Sequence, residues 1–224
     1  DQLLQIIPKE NFFNILTGFL KLQYTMHIYG YENSGKVPNQ RFSGIYGLTA
    51  LGYMFQSLMD YQKLKYFGSQ YFKSYIQTNI FLDGGMLEQS WNYNFEIQGL
   101  ANEIIGYGDS FSSEKALLDK FSQYVTSLKS PMNTLPRLGS FSESHGYMAL
   151  WTLKKDQVTA QSYNTVFNQY TGAHALRTGW HYDDLYMNFI NSRSMRGHRL
   201  RQNNAVEVYA YGRRLLCQAG AEPY

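Results

Sequence analysis

The period of the hydrophobic pattern changes once along this chain, and that change limits the folds open to it. Through the first 155 residues or so, apolar side chains recur three and four apart, the spacing of one face of a helix. This predicts helices over Leu3–Ile28, Phe42–Tyr61, Leu64–Asn79 and Glu88–Tyr107. A further helix is expected over Glu114–Lys129 with Ser113 as its N-cap, and a short one over Ser144–Leu153. Glycines at 44, 47 and 52 read as places where helices approach closely, and the Gly- and Pro-containing stretches Gly30–Gln40 and Ser130–Ser142 read as loops. After about Thr171 the pattern alternates. Ala173–Thr178, Tyr186–Asn191, Ala205–Tyr211 and Arg214–Cys217 then read as strands, VEVYAYG most clearly. Helices followed by strands give an α+β multidomain chain, not a doubly wound sheet. Residues 1–155 are the expected helical domain, 156–171 a linker and 172–224 the first strands of an antiparallel domain.

Composition narrows the function classes. The net charge is +3, and the basic residues are scattered except for Arg193, Arg196, Arg199 and Arg201, followed by Arg213 and Arg214. That cluster suits carboxylates or sulfates, or it is a solvated loop. Sustained interleaving of aromatic and basic residues is missing, so no nucleic-acid partner is expected. The 20 tyrosines suit a sugar ligand, whose ring face stacks on an aromatic and whose oxygens reach a hydroxyl; most are expected between helices. A single cysteine, Cys217, leaves no internal disulfide and reads as a small buried hydrophobe. No apolar run reaches the roughly 20 residues of a membrane span, and the first residues do not read as a signal peptide. The chain reads as a portion of a longer protein.

The stretch with the most chemistry is Asp83–Gly99, DGGMLEQSWNYNFEIQG. Two glycines precede a segment of helical period in which Glu88, Gln89, Ser90, Asn92, Tyr93 and Asn94 are threaded among apolar residues. Buried amides and hydroxyls each need a partner. The stretch therefore reads either as the wall of a polar cleft or as an ordinary helix start facing water.

Three separated segments carry a resemblance. They are the DGG loop with EQSWNYN and its Tyr93; PNQR with Asn39 and Gln40, upstream; and LRTGWHYDDLYMNF running to GHRLRQNNAVEVYAYGRRLLCQAG, with His198 on a loop and Gly212-Arg213 closing a strand. In this order and spacing the chain is similar to the heparinase II/III-like polysaccharide lyases, a family related to heparinase III and oligoalginate lyases, from about Gln40 onward. The resemblance implies an incomplete (α/α) toroid of helical hairpins, then the beginning of an antiparallel β-sandwich. It also implies a secreted or periplasmic enzyme with an acidic polysaccharide or oligosaccharide as partner and no cofactor. The reaction implied is β-elimination at a uronic acid. The proton lost lies α to a carboxylate, so that carboxylate must be neutralised by donors in place beforehand.

The resemblance gives that role to Asn39, with Gln40 beside it, and makes Tyr93 and His198 the acid and base. A tyrosine of ordinary pKa, about 10, needs help to ionise, whereas an imidazole near 6.5 suits proton transfer at neutral pH. Arg201, Arg199 or Arg177 is expected to hold substrate acid groups, and Asn94 to line the site. Trp91 is a sugar-stacking platform or a core residue. Glu88 fixes Tyr93 or Asn39, or caps its own helix.

The chain departs from the family pattern at Leu200 and Gln218, where family members supply zinc ligands, and at Gln202 or Asn203. No metal is expected. The altered loop keeps open a second reading, a non-catalytic glycan-binding protein on the same scaffold. A hydrolase would need paired carboxylates, and Glu88, Asp83 and Asp109 are not convincingly paired. His145 is weighed as a cleft or surface residue, His181 as a strand-turn residue beside solvated Asp183 and Asp184, His174 as a strand residue and His27 as helix surface.

Overall fold

The computed structural model describes residues 8, 11, 13–18, 21, 22, 25, 38–57, 59–137, 164–191 and 204–217. The expected helix over Ser144–Leu153 and residues His27, His145, Arg193, Arg196, His198, Arg199, Leu200, Arg201, Gln202, Asn203 and Gln218 lie outside them. The described part of the first expected helix is helical at residues 11, 13–18, 21, 22 and 25. The order of the main elements is α1 (Pro38–Met54), α2 (Met59–Asn79), α3 (Trp91–Gly106), a 3-10 turn (Asp109–Phe111), α4 (Ser112–Ser127), then β1 (Thr165–Asn168), β2 (Ala173–Arg177), β3 (Tyr186–Ile190), β4 (Ala205–Ala210) and β5 (Arg213–Leu216). Helices therefore precede a five-stranded antiparallel sheet of order β1-β2-β3-β4-β5, which is the α+β plan that the change of period predicts.

The chain divides into two compact units, one built on residues 40–72 and one of residues 36–39 with everything from Lys73 onward. In the first, Leu48, Leu51 and Leu64 form a buried apolar cluster, with Leu16, Phe55, Tyr61 and Tyr71 packed against it. Its helical segments meet through glycine. A Cβ on Gly52 would fall 2.2 Å from the Lys65 backbone nitrogen, and one on Gly68 would fall 2.8 Å from the Thr49 Cα. The close approach expected of the α1 glycines is met at Gly52.

In the second unit the rings of Trp91, Phe95, Phe121 and Tyr124 pack with centroids 6.0–6.5 Å apart. Tilted and offset ring pairs of this spacing add to the area they bury. Along the sheet, β2 and β3 bury every second residue, as does most of β4. Phe167, His174 and Phe189 lie at paired register positions on β1, β2 and β3, with centroids 5.6 Å and 6.0 Å apart. Tyr211 and Gly212 close the β4–β5 hairpin, both at positive φ (53° and 65°), the conformation a two-residue primed turn requires.

Several boundaries differ from expectation. α1 opens at Pro38 inside the expected loop, because proline's fixed φ and missing N–H suit the first helical position. The expected Phe42–Tyr61 helix breaks after Met54. β1 falls in the stretch expected to be a linker. Its four residues have the burial pattern exposed, intermediate, exposed, buried, too short a run to show a period. Ser113 is not the N-cap of α4. Phe111 holds that position, because the 3-10 turn feeds directly into the helix; the Ser113 hydroxyl instead donates to Glu114 Oε1 (2.9 Å). Cys217 is exposed, just past an edge strand whose Leu215 and Leu216 are exposed too.

Candidate functional site

Asn39, expected at the end of a loop, stands in the first turn of α1, half-buried, with Gln40 exposed beside it. The Asn39 backbone N–H donates to Glu88 Oε2 (3.1 Å), and Pro38 O accepts from the Tyr75 hydroxyl (3.0 Å). Helix starts leave N–H groups without an intrahelical acceptor, and a carboxylate there is favoured by the helix field. Glu88 is 1 % exposed and serves the start of α1. Of the roles weighed for it, the geometry favours the one directed at Asn39.

Tyr93 lies in the first turn of α3, five residues after Glu88 and half-buried. Trp91 opens that helix with no exposure. Its indole N–H donates to Pro136 O (2.7 Å), and its ring lies 6.0 Å from both Phe95 and Tyr124. Stacking on a sugar needs an open ring face, so Trp91 is a core residue. Asn94 is 1 % exposed, and neither of its amide atoms has a hydrogen-bond partner among the described residues. Asn92 Oδ1 is in the same condition. Buried polar atoms without partners cost on the order of 1–3 kcal/mol each, so these amides are not those of a helix start facing water.

The loop leading to α3 is held by the sheet. Asp83 Oδ2 accepts from the backbone N–H groups of Tyr170 (2.9 Å) and Thr171 (2.9 Å) and from the Thr171 hydroxyl (3.1 Å). Its Oδ1 accepts from Gly85 N–H (3.2 Å). Gln89 Nε2 donates to Thr171 O (2.8 Å). Asp83 is thus a loop-to-turn tie.

Arg177, weighed as a binder of substrate acids, is 6 % exposed and turned to another task. Its Nε donates to Lys129 O (2.9 Å) and its Nη2 to Lys129 O (2.6 Å) and to Ser127 O. The guanidinium sits 4.3 Å from the Trp180 ring centre and 5.2 Å from that of Tyr186. A cation on the last carbonyls of α4 meets the negative end of the helix. The Tyr186 hydroxyl completes this end by donating to Leu128 O (2.5 Å); burial holds its pKa well above the ordinary value, against an opposing pull from the Arg177 guanidinium.

His174 lies on β2 and His181 in the β2–β3 turn, as expected. Asp184 is not merely solvated: it accepts from His181 N–H (2.7 Å) and the Thr178 hydroxyl (3.2 Å) and so shapes that turn. A cleft of about 430 Å³ opens between α4 and β1, its lining including Lys120, Gln123, Tyr124, Phe167 and Asn168; Asn39 and Tyr93 are not among its lining residues. Among the described residues, no group of three or more His, Cys, Asp and Glu could hold a metal ion, and no helix is long and apolar enough to cross a membrane.

Thr171 is the residue that sequence reasoning passed over, having marked it only as a boundary. Its signal was present: Asn168-Gln169-Tyr170-Thr171-Gly172 is a short glycine-containing connection between two runs of strand character.

No protein-family model and no curated protein matches the sequence. Solved structures do. The chain superposes on a heparinase III at TM-score 0.71, with 19% identity over 92% of this chain and 38% of that one. A heparinase III with methylated lysines gives 0.70 at 16% identity, over 93% and 36%. The heparan sulfate lyase HepC from Pedobacter heparinus gives 0.65 at 17% identity, over 92% and 36%. The chain therefore has the fold found over 36–38% of the length of these three proteins.

Proposed function

We propose that the chain is the part of a polysaccharide lyase that cleaves a uronic-acid-containing glycan by β-elimination. One observation carries the reading: the start of α1, with Asn39, is tied through Glu88 to the segment that begins α3 and bears Tyr93. The likeness to heparinase III chains supports it at the level of fold, with an (α/α) toroid followed by a β-sandwich as the full architecture.

In this reading Asn39 donates to the uronate carboxylate. Its backbone N–H is committed to Glu88, so the donation falls to the side-chain amide. An amide suits the task because it stabilises the enolate-like charge that develops without bringing a full charge of its own. A base takes the proton α to the carboxylate, the C–O bond to the leaving sugar breaks, a carbon–carbon double bond forms, and an acid returns a proton to the leaving oxygen. Tyr93 and His198 supply these two functions. Gln40, next to Asn39, would serve the substrate and Arg201 its acidic substituents, whereas Asn94, at 1 % exposure, is too buried to touch it. The protein is exported, and its partner is an acidic polysaccharide.

Elimination and hydrolysis differ by one water. Mass spectrometry of products from a panel of acidic polysaccharides is expected to show fragments whose summed mass equals the substrate. Fragments heavier by a water would make the protein a hydrolase. Retention of polymer without any fragment would make it a binding protein.

A further inference from the structure

We infer that the β1–β2 turn at Thr171 is a latch that holds the loop from Asp83 to Ser90 and thereby sets the position of Tyr93. The importance of Tyr93 rests on the lyase reading; the latch itself rests on geometry. Thr171 has no exposure, and all three of its polar groups face the loop. Its N–H and hydroxyl donate to Asp83 Oδ2 at 2.9 and 3.1 Å, and its carbonyl accepts from Gln89 Nε2 at 2.8 Å. Asp83 also grips its own side of the seam through Gly85 N–H (3.2 Å). The fit leaves no slack, since a Cβ on Gly85 would lie 2.0 Å from Thr171 Cγ2.

The far end of the loop shows why it needs holding. Gln89 has φ 41°, a left-handed conformation that non-glycine residues rarely adopt and that persists only where the surroundings over-determine it. Its N–H donates to Met86 O (3.3 Å) and its side chain is bonded to the turn. Gln89 immediately precedes Ser90, the N-cap of α3, and Tyr93 is that helix's third residue. Glu88, next to Gln89, fixes the Asn39 N–H. A single strained residue thus links the latch to both Asn39 and Tyr93. Asp83, Gln89 and Thr171 are positioning residues.

Asp83→Asn and Thr171→Val keep side-chain shape while removing the charge and the hydroxyl. Both are to be read by amide hydrogen exchange and by kcat and KM on the polysaccharide that the wild type cleaves. Exchange over residues 84–93 is expected to rise about tenfold or more while β3 and β4 stay unchanged, the pattern of local opening. kcat is expected to fall about tenfold with KM nearly constant, as for a displaced catalytic group, and Thr171→Ser restores both. Unchanged exchange in 84–93 would overturn the latch, and raised exchange with unchanged kcat would overturn its link to Tyr93. If the wild type cleaves no polymer, the lyase reading fails, and the exchange arm alone decides the latch.

Discussion

Among the described residues, two of the seams between the sheet and the helical part before it have opposite chemistry. At the Asp83 seam a carboxylate on the helical side gathers N–H and O–H donors from the β1–β2 turn. At the Arg177 seam a cation on the sheet gathers carbonyls from the end of α4. Each gives hydrogen-bond partners to backbone groups of a turn or a helix end. They differ in what lies beyond. The Arg177 seam ends at a helix terminus that carries no proposed site residue. The Asp83 seam ends at Gln89, one step from the helix that bears Tyr93. Damage to the first is therefore expected to appear in stability alone, and damage to the second in turnover as well.

The largest expected effect comes from Arg177→Met. It strips donors from Ser127 O and Lys129 O and removes a cation from two ring faces. The loss of stability is expected at about 3 kcal/mol or more, summed from buried groups left unpaired at about 1–3 kcal/mol each. Denaturant unfolding measures it, and kcat per folded molecule is expected to be unchanged. A fall in kcat would erase the contrast between the seams.

Gly85→Ala comes next. The new methyl group collides with Thr171 Cγ2, and overpacking of this kind costs about 1–3 kcal/mol. Here turnover is expected to drop together with the melting temperature. A variant that is less stable but fully active would show that the loop tolerates displacement.

Tyr186→Phe removes one donor from Leu128 O while leaving the ring in place. A loss of about 1–2 kcal/mol is expected from a single buried hydrogen bond, again without effect on kcat.

The smallest effect is electrostatic. Burial lowers the pKa of His174, against a weaker opposing pull from Asp83. The fold favours the neutral imidazole, so the unfolded chain binds more protons below its own pKa of about 6.5. This contribution to stability is present above that pH and is lost as pH falls from it through the lower folded-state pKa. His174→Phe keeps the stack with Phe167 and Phe189 and leaves no imidazole to protonate. Unfolding at pH 7.5 and pH 5 is expected to show a smaller difference in the variant than in the wild type.

The contrast between the seams also explains what could be read from sequence. Helices α2 to α4 and strands β2 to β4 follow from local period, because one face of each is buried. The loop before α3 stood out through Gly84, Gly85 and its unusual polar content. The seams were hidden because their partners are distant along the chain: Asp83 reaches Thr171 across 88 residues, and Arg177 reaches Lys129 across 48. An arginine within a predicted strand looks like a surface or substrate residue until the helix end it caps is known. Trp91 likewise looks the same in sequence whether its ring meets a sugar or Phe95. Pro38 was legible in principle, since proline suits a helix start, but the polar run around it read as loop. The proposed site is legible only in its order, Asn39, Tyr93, His198, and that order came from resemblance and not from period.

The most direct test of the central claim follows the ultraviolet absorbance of the unsaturated uronate formed from an acidic polysaccharide, comparing wild type with Tyr93→Phe. Absorbance is expected to grow with time for the wild type and to be lost in the variant, which keeps the ring and removes only the hydroxyl. Equal rates for the two proteins would contradict that claim.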